Sequence, residues 1–351
     1  MLKCVKCWGL LQGQFIGYMN NMKILLIGAG SIGTRHLKNL LKLGYKNLAI
    51  CDPDKKRLKA VSELGNFSLY KNAKIAFKKE RPEIVFVCNP THLHLPAANL
   101  ALGFGAHVFI EKPLSHNLKG VGALIKKAKK KRKIAMVACN YRFHPGFKML
   151  ENFTRNGALG KPLVVRAVVG HDLKKSRAGV DYRKTYAADA KQGGGVILDS
   201  GSHVVEYLAA LFGKVTSVWG QYGNISNLDV KSEDYAFFLL NHASGVAASV
   251  ELDYFSKPKR HNVEIQFERG WARWDFPGNI VEYYDSGKAV KKIKNIYKDG
   301  ESYAARNDMY LKELEHFMDI VRRKKSPMQD LKSAGDVIKI LMAVKSADNK
   351  M

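Results

Sequence analysis

Lys23-Ile24-Leu25-Leu26-Ile27 runs straight into Gly28-Ala29-Gly30-Ser31-Ile32-Gly33, and this join constrains the fold more than any other feature of the chain. An all-apolar strand is buried on both faces, which points to a parallel sheet covered on each side. The glycines fall at G-x-G-x-x-G spacing, and the helical pattern opened by Ser31 closes at Gly44. Strand, glycine turn and helix in that order make a phosphate cradle. Gly28 permits the tight turn, Gly30 lets the backbone approach a pyrophosphate, and Gly33 lets helix and strand pack closely. Ser31 and Ile32 add first-turn amides and the positive end of the helix dipole. Asp52 closes the next apolar strand, where an acid accepts hydrogen bonds from the adenosine ribose hydroxyls. Its charge favours NAD, while Lys55, Lys56 and Arg57 beside it leave NADP open.

The same grammar repeats. "NLAICDPD", "PEIVFVCNP", "AHVFIEKP" and "KIAMVACN" are further short apolar strands, with helical patterns such as Leu95–Leu102 and Leu118–Lys130 between them. Residues 22–140 therefore read as a doubly wound α/β domain. Beyond Pro162 seven strand-like runs with turn residues between them, from "PLVVRAVVG" to "IVEYYDSG", predict a largely antiparallel sheet. The helical segment "GSHVVEYLAALFG" interrupts it early, and helices return in the tail. Residues 141–351 read as a second, substrate-binding domain. Residues 1–21 read as an extension outside the fold, or as a start assigned too early with Met22 as the initiator.

Composition narrows the class. Of 351 residues 46% are hydrophobic, as in a globular protein, yet no run approaches the 18 apolar residues of a membrane span. The five cysteines are odd in number and scattered, and Cys51 and Cys88 lie in apolar strands, which predicts a reducing, cytoplasmic setting. Cys4 and Cys7 form a lone C-x-x-C without the second ligand pair that zinc needs, so no metal is expected. The net charge of +27 peaks at Lys126–Lys133, a helix end that favours cations. No nucleic-acid motif or interleaved aromatics accompany that run. The charge suits an anionic small-molecule substrate, with neither nucleic acid nor membrane as partner.

Three constellations carry chemistry. Asn89-Pro90-Thr91-His92-Leu93-His94 follows one strand, at the edge where ligands of open parallel sheets bind. Glu111-Lys112-Pro113 ends the next strand on the same edge; its lysine suits a substrate hydroxyl, and Glu111 pairs with it or orients it. A bare strand-end ion pair is the plainer reading, worth little when exposed. The third is Gly193-Gly194-Gly195-Val196-Ile197-Leu198-Asp199-Ser200-Gly201-Ser202-His203, where Asp199 and His203 share a helix face at i, i+4. A carboxylate there would raise the basicity of the histidine.

Together, "GAGSIG", "EKP" and "GGGVILDSGSH" resemble the Gfo/Idh/MocA oxidoreductases, and the likeness runs from Met22 through nearly the whole chain. The resemblance implies a Rossmann domain followed by an α/β domain with a large, open, mostly antiparallel sheet, assembling as homodimers or homotetramers. It implies hydride transfer between a sugar-like carbon and nicotinamide. By motif position Lys112 would contact the reacting hydroxyl, His203 would be the general acid/base, and Asp199 would bind substrate and position His203. Asn89, Pro90, His94 and Glu111 would lie on the cofactor side. Glu206 departs from the family, where many members have Asp in "H-x-x-D". Tyr141, Arg142, Asp181 and Arg183, with Tyr182, Tyr186 and Lys174, are the candidates for recognition of a sugar, nucleotide sugar or cyclitol. An NAD-dependent hydrolase or epimerase and a non-catalytic sensor are the alternatives on this fold.

Overall fold

The computed structural model describes residues 22–176, 179–294, 296, 303–346 and 351, with no side-chain description for residues 303–306. Residues 1–21, including Cys4 and Cys7, lie outside that set. The chain divides into two compact units. One comprises the residues up to Leu114 with Gly120–Ala138 and Leu314–Leu331; the other comprises Ser115–Lys119, Cys139–Glu313 and Lys332–Met351.

The first unit is built on a six-stranded sheet: β1 (Ile24–Ile27), β2 (Leu48–Cys51), β3 (Ser68–Tyr70), β4 (Ile84–Val87), β5 (His107–Ile110) and β6 (Ala135–Val137). Every pairing is parallel, in the order β3-β2-β1-β4-β5-β6. All four residues of β1, β2 and β4 are buried, as their unbroken apolar sequences require. Five helices alternate with the strands: α1 (Ser31–Lys42), α2 (Lys55–Ser62), α3 (Ala73–Glu80), α4 (His94–Gly103) and α5 (Val121–Lys131). The last turn of α5 carries Lys129, Lys130 and Lys131, the placement that the helix dipole favours. β3 is the strand the sequence does not announce, because it is a three-residue edge element with Ser68 and Leu69 exposed.

The second unit holds an eight-stranded sheet: β7 (Pro162–Gly170), β8 (Val215–Gly223), β9 (Tyr235–His242), β10 (Ala247–Asp253), β11 (Arg260–Phe267), β12 (Gly270–Asp275), β13 (Ile280–Asp285) and β14 (Lys291–Lys294). The order is β14-β13-β12-β11-β7-β10-β9-β8, antiparallel except where β7 and β10 run parallel. β9, β10 and β11 alternate buried with more exposed residues, one face inward. β14 goes unannounced because its four residues, three of them lysines, are all exposed. The helices are α6 (Pro145–Asn156), α7 (Val196–Asp199), α8 (Gly201–Phe212), α9 (Tyr303–Arg323), whose residues from Leu314 onward belong to the first unit, and α10 (Leu331–Val344). No described helix is long and apolar enough to cross a membrane.

Candidate active site

In the first unit the glycine loop leaves β1 where the strand order reverses, between β1 and β4. Gly28 adopts φ +102°, and a Cβ there would stand 2.6 Å from the Cys88 carbonyl. At Gly33 a Cβ would stand 1.9 Å from the Gly28 oxygen, whereas at Gly30 it would meet nothing within 4 Å. Two glycines thus serve close packing within the chain, and the middle one keeps a face open. No side chain caps α1 and no acid occupies its first turn, so the fold leaves the amides of Ser31, Ile32 and Gly33 for an anion. Asp52 is only 2% exposed. Its Oδ2 accepts the Ala29 amide and its Oδ1 the Asp54 amide, both at 2.8 Å, and Arg57 lies 3.6 Å away. Besides its ribose assignment, this acid therefore pins the glycine loop. Beyond β4, Asn89 Oδ1 is buried without a partner among the described residues. An open cradle, an uncapped helix start, a buried acid and an unused acceptor fit a dinucleotide.

The next two loops on this edge are held by histidines. His94 opens α4, buried, with Nδ1 2.8 Å from the Pro113 carbonyl and Nε2 2.8 Å from the Asn89 carbonyl. Burial lowers its pKa while the two carbonyls pull against that trend. This ring, expected on the cofactor side, is a strut between the β4 and β5 loops. Glu111 follows β5 and is 6% exposed. Its Oε1 lies 2.6 Å from His36 Nε2, and its Oε2 accepts the Lys112 amide at 3.1 Å. The acid thus grips the main chain of Lys112. The Lys112–Pro113 peptide is cis.

In the second unit Gly194 and Gly195 serve close packing within the chain. A Cβ at Gly194 would stand 2.1 Å from the Tyr186 carbonyl oxygen. Gly195, at φ +102°, would put one 2.2 Å from Glu233 Oε1. Glu233 accepts the Ile197 amide at 3.2 Å and the Lys345 ammonium at 2.7 Å, fixing the start of α7 from the C-terminal helix α10 and the residue that follows it. α7 ends at Asp199 and α8 begins at Gly201, and Ser200 between them keeps helical geometry at φ −84° and ψ −42°. The Asp199 carboxylate accepts the Tyr186 hydroxyl at 2.6 Å and the Tyr254 hydroxyl at 3.3 Å. Burial, then the Asp199 charge, hold the Tyr254 phenol well above its usual pKa, so it stays a donor.

His203 packs edge-on against Tyr141 at 4.7 Å, within a cluster that includes Tyr207, His261, Trp274 and Phe276. Arg142 pairs with the buried Glu206 at 3.3 Å. Burial pushes the Glu206 carboxyl up to about 7, with Arg142 opposing. Asp181 and Arg183 pair with each other at 2.9 Å, with 56% of the arginine side chain exposed. Sequence reasoning missed His36, Tyr254 and Glu233, whose partners lie 75, 55 and 112 residues away. The i+3 step from Gly33 to His36 was the only local signal. Among the described residues no three His, Cys, Asp or Glu side chains cluster as a metal site would require.

Known proteins match this arrangement. The oxidoreductase family with an NAD-binding Rossmann fold matches residues 22–139, and the GFO/IDH/MocA C-terminal domain matches residues 147–273. D-Apiose dehydrogenase of Paraburkholderia graminis is 27% identical over 282 residues, 80% of this chain and 69% of that protein. Myo-inositol 2-dehydrogenase of Thermotoga maritima is 37% identical over 147 residues, 41% of this chain and 44% of that protein. An Agrobacterium radiobacter oxidoreductase, solved with NAD+, L-tartaric acid and magnesium, superposes with a TM-score of 0.81 at 20% identity, covering 93% of this chain and 96% of that one. The chain belongs to the Gfo/Idh/MocA oxidoreductases, as an NAD(P)-dependent dehydrogenase of CH–OH groups.

Proposed function

We propose that the chain oxidises, reversibly, one hydroxyl-bearing carbon of a sugar, nucleotide sugar or cyclitol. Bound NAD supplies the hydride acceptor at nicotinamide C4. Lys112 Nζ contacts the reacting hydroxyl and stabilises the oxyanion as it develops. His203 accepts the hydroxyl proton, and returns it in the reverse direction. Asp199 binds substrate and orients His203; with each oxygen taking one phenol, it keeps a fixed direction. The observation that carries this reading is the grip on Lys112, two residues beyond the end of β5 on the ligand edge, by Glu111 and the Pro113–His94 contact. Tyr141, Arg142, Asp181 and Arg183 remain assigned to recognition, and the net charge of +27 supports an anionic member of the class. The buried free thiols of Cys51, Cys88 and Cys139 suit a reducing cytoplasm. The protein works as a homodimer or homotetramer through the outer face of its eight-stranded sheet.

The test is a panel of sugars, nucleotide sugars and cyclitols with NAD and with NADP, following absorbance of the reduced cofactor. Turnover by the wild type and none by Lys112→Ala, with NAD affinity within about threefold, is the expected result. Full turnover by Lys112→Ala on the same substrate would remove Lys112 from the chemistry.

A further inference from the structure

The His36–Glu111 pair has no part in the proton and hydride steps, yet it is costly to build. His36 is fully buried on α1, with Phe86 and Phe109 rings at 5.8 and 5.2 Å. Its Nε2 reaches Glu111 Oε1 at 2.6 Å across 75 residues of sequence. Withdrawing a carboxylate from water costs several kcal/mol, and apolar replacements of similar volume are often as stable. Burial works against the Glu111 charge, but His36 and Lys112 outweigh it and hold the carboxyl below its ordinary pKa. The acid therefore stays an acceptor for two donors, the His36 ring and the Lys112 amide.

We propose that His36 is a positioning residue for hydride transfer, acting through Glu111 to tie the main chain of Lys112 to α1. α1 is the helix whose uncapped first turn would hold the dinucleotide phosphates, so the tie registers Lys112 to the body that would hold the cofactor. The inference rests on the reading of Lys112 given above. Without the tie, Glu111 gains rotamer freedom and its hold on the Lys112 amide loosens, while the Pro113–His94 contact remains. Small displacements of a group that must meet a reacting atom cost up to about a hundredfold in rate.

The experiment uses the full chain, NAD and the best alcohol of the panel. His36→Leu removes the donor; kcat should fall roughly tenfold to a hundredfold. NAD should still bind at one per chain, its affinity and the KM of the alcohol changing less than about threefold. His36→Gln returns an N–H at the same place and should recover kcat to within about threefold of wild type. Glu111→Gln replaces one of the two acceptor oxygens by an NH2 donor, which then faces either the His36 ring or the Lys112 amide, and should lower kcat by tenfold or more, roughly, with His36 intact. Wild-type kcat in His36→Leu overturns the proposal, as does equal impairment of the Leu and Gln variants. Loss of NAD affinity in step with kcat also overturns it, since His36 would then serve cofactor binding. If His36→Leu fails to bind NAD at one per chain because it does not fold, Glu111→Gln decides: unchanged kcat overturns the tie. Lys112→Ala runs alongside, because turnover there defeats the functional reading rather than the tie.

Discussion

Gly30 and Gly33 stand three residues apart and answer to different demands. A Cβ at Gly33 would collide with the Gly28 oxygen at 1.9 Å, so Gly33→Ala should shift the loop, lower thermal stability and weaken NAD binding together. Gly30 has φ −73° and open space around its missing Cβ, so alanine fits the fold without strain. Gly30→Ala should melt like the wild type yet bind NAD at least roughly tenfold more weakly, a loss of about 1.4 kcal/mol. Melting curves and an NAD titration on both variants check the contrast; a destabilised Gly30→Ala with normal affinity would contradict it. The motif was legible because it is local: strand, turn and the first turn of the helix are contiguous in the sequence. What Asp52 does for the Ala29 amide, and what His36 does for Glu111, was not. Those contacts join residues 23 and 75 positions apart, and no periodicity encodes a pairing across strands of a parallel sheet.

At the scale of elements, the D-x-x-x-H spacing suggested one helix face; Asp199 ends α7 and His203 lies in the first turn of α8, with Ser200 in helical geometry between them. Ile197, Leu198, Val204 and Val205 keep an apolar pattern across this join. Tyr186 was singled out in the sequence, although its hold on Asp199 was not visible there, and Tyr254 arrives from the end of β10. α8 also carries Glu206, whose acidity gives a signed prediction. Its carboxyl rises from 4.5 to about 7 because burial outweighs the help of Arg142. Between roughly pH 4.5 and 7 the folded chain therefore holds a proton that the unfolded chain has released. Stability contributed by this group falls as pH rises through that window, by at most about 3 kcal/mol, and is level above it. Glu206→Gln cannot titrate, so its melting temperature relative to wild type should climb from pH 5 to pH 7, roughly, and then stay level. A difference that does not change with pH would mean that Glu206 is ionised across the whole range.

Over the whole molecule, the outer face of the large sheet changes character from one edge to the other. One rung crosses all eight strands: Trp219, Leu239, Ser249, Arg166, Glu264, Arg273, Glu282 and Lys292, each paired in register with the next. From Arg166 onward the rung alternates in charge, with Arg166–Glu264 at 3.3 Å, an Arg273–Glu282 pair, and Lys292–Glu282 at 2.8 Å. Such a ladder is at ease in water. At the β8–β9 end the rung turns apolar, and Trp219 and Leu239 are 55% and 41% exposed. An exposed tryptophan beside an exposed leucine is the composition of an interface core rather than of a solvated face. If copies of the chain meet through this sheet, Trp219→Glu with Leu239→Glu buries two charges against the partner and should leave the protein monomeric in sedimentation. The eight-stranded unit should keep its melting temperature apart from the part that association contributes, because both positions point away from its core. NAD affinity should be unchanged, since the glycine loop belongs to the other unit. An assembly that survives both substitutions at the same concentration would place the contact elsewhere on the molecule.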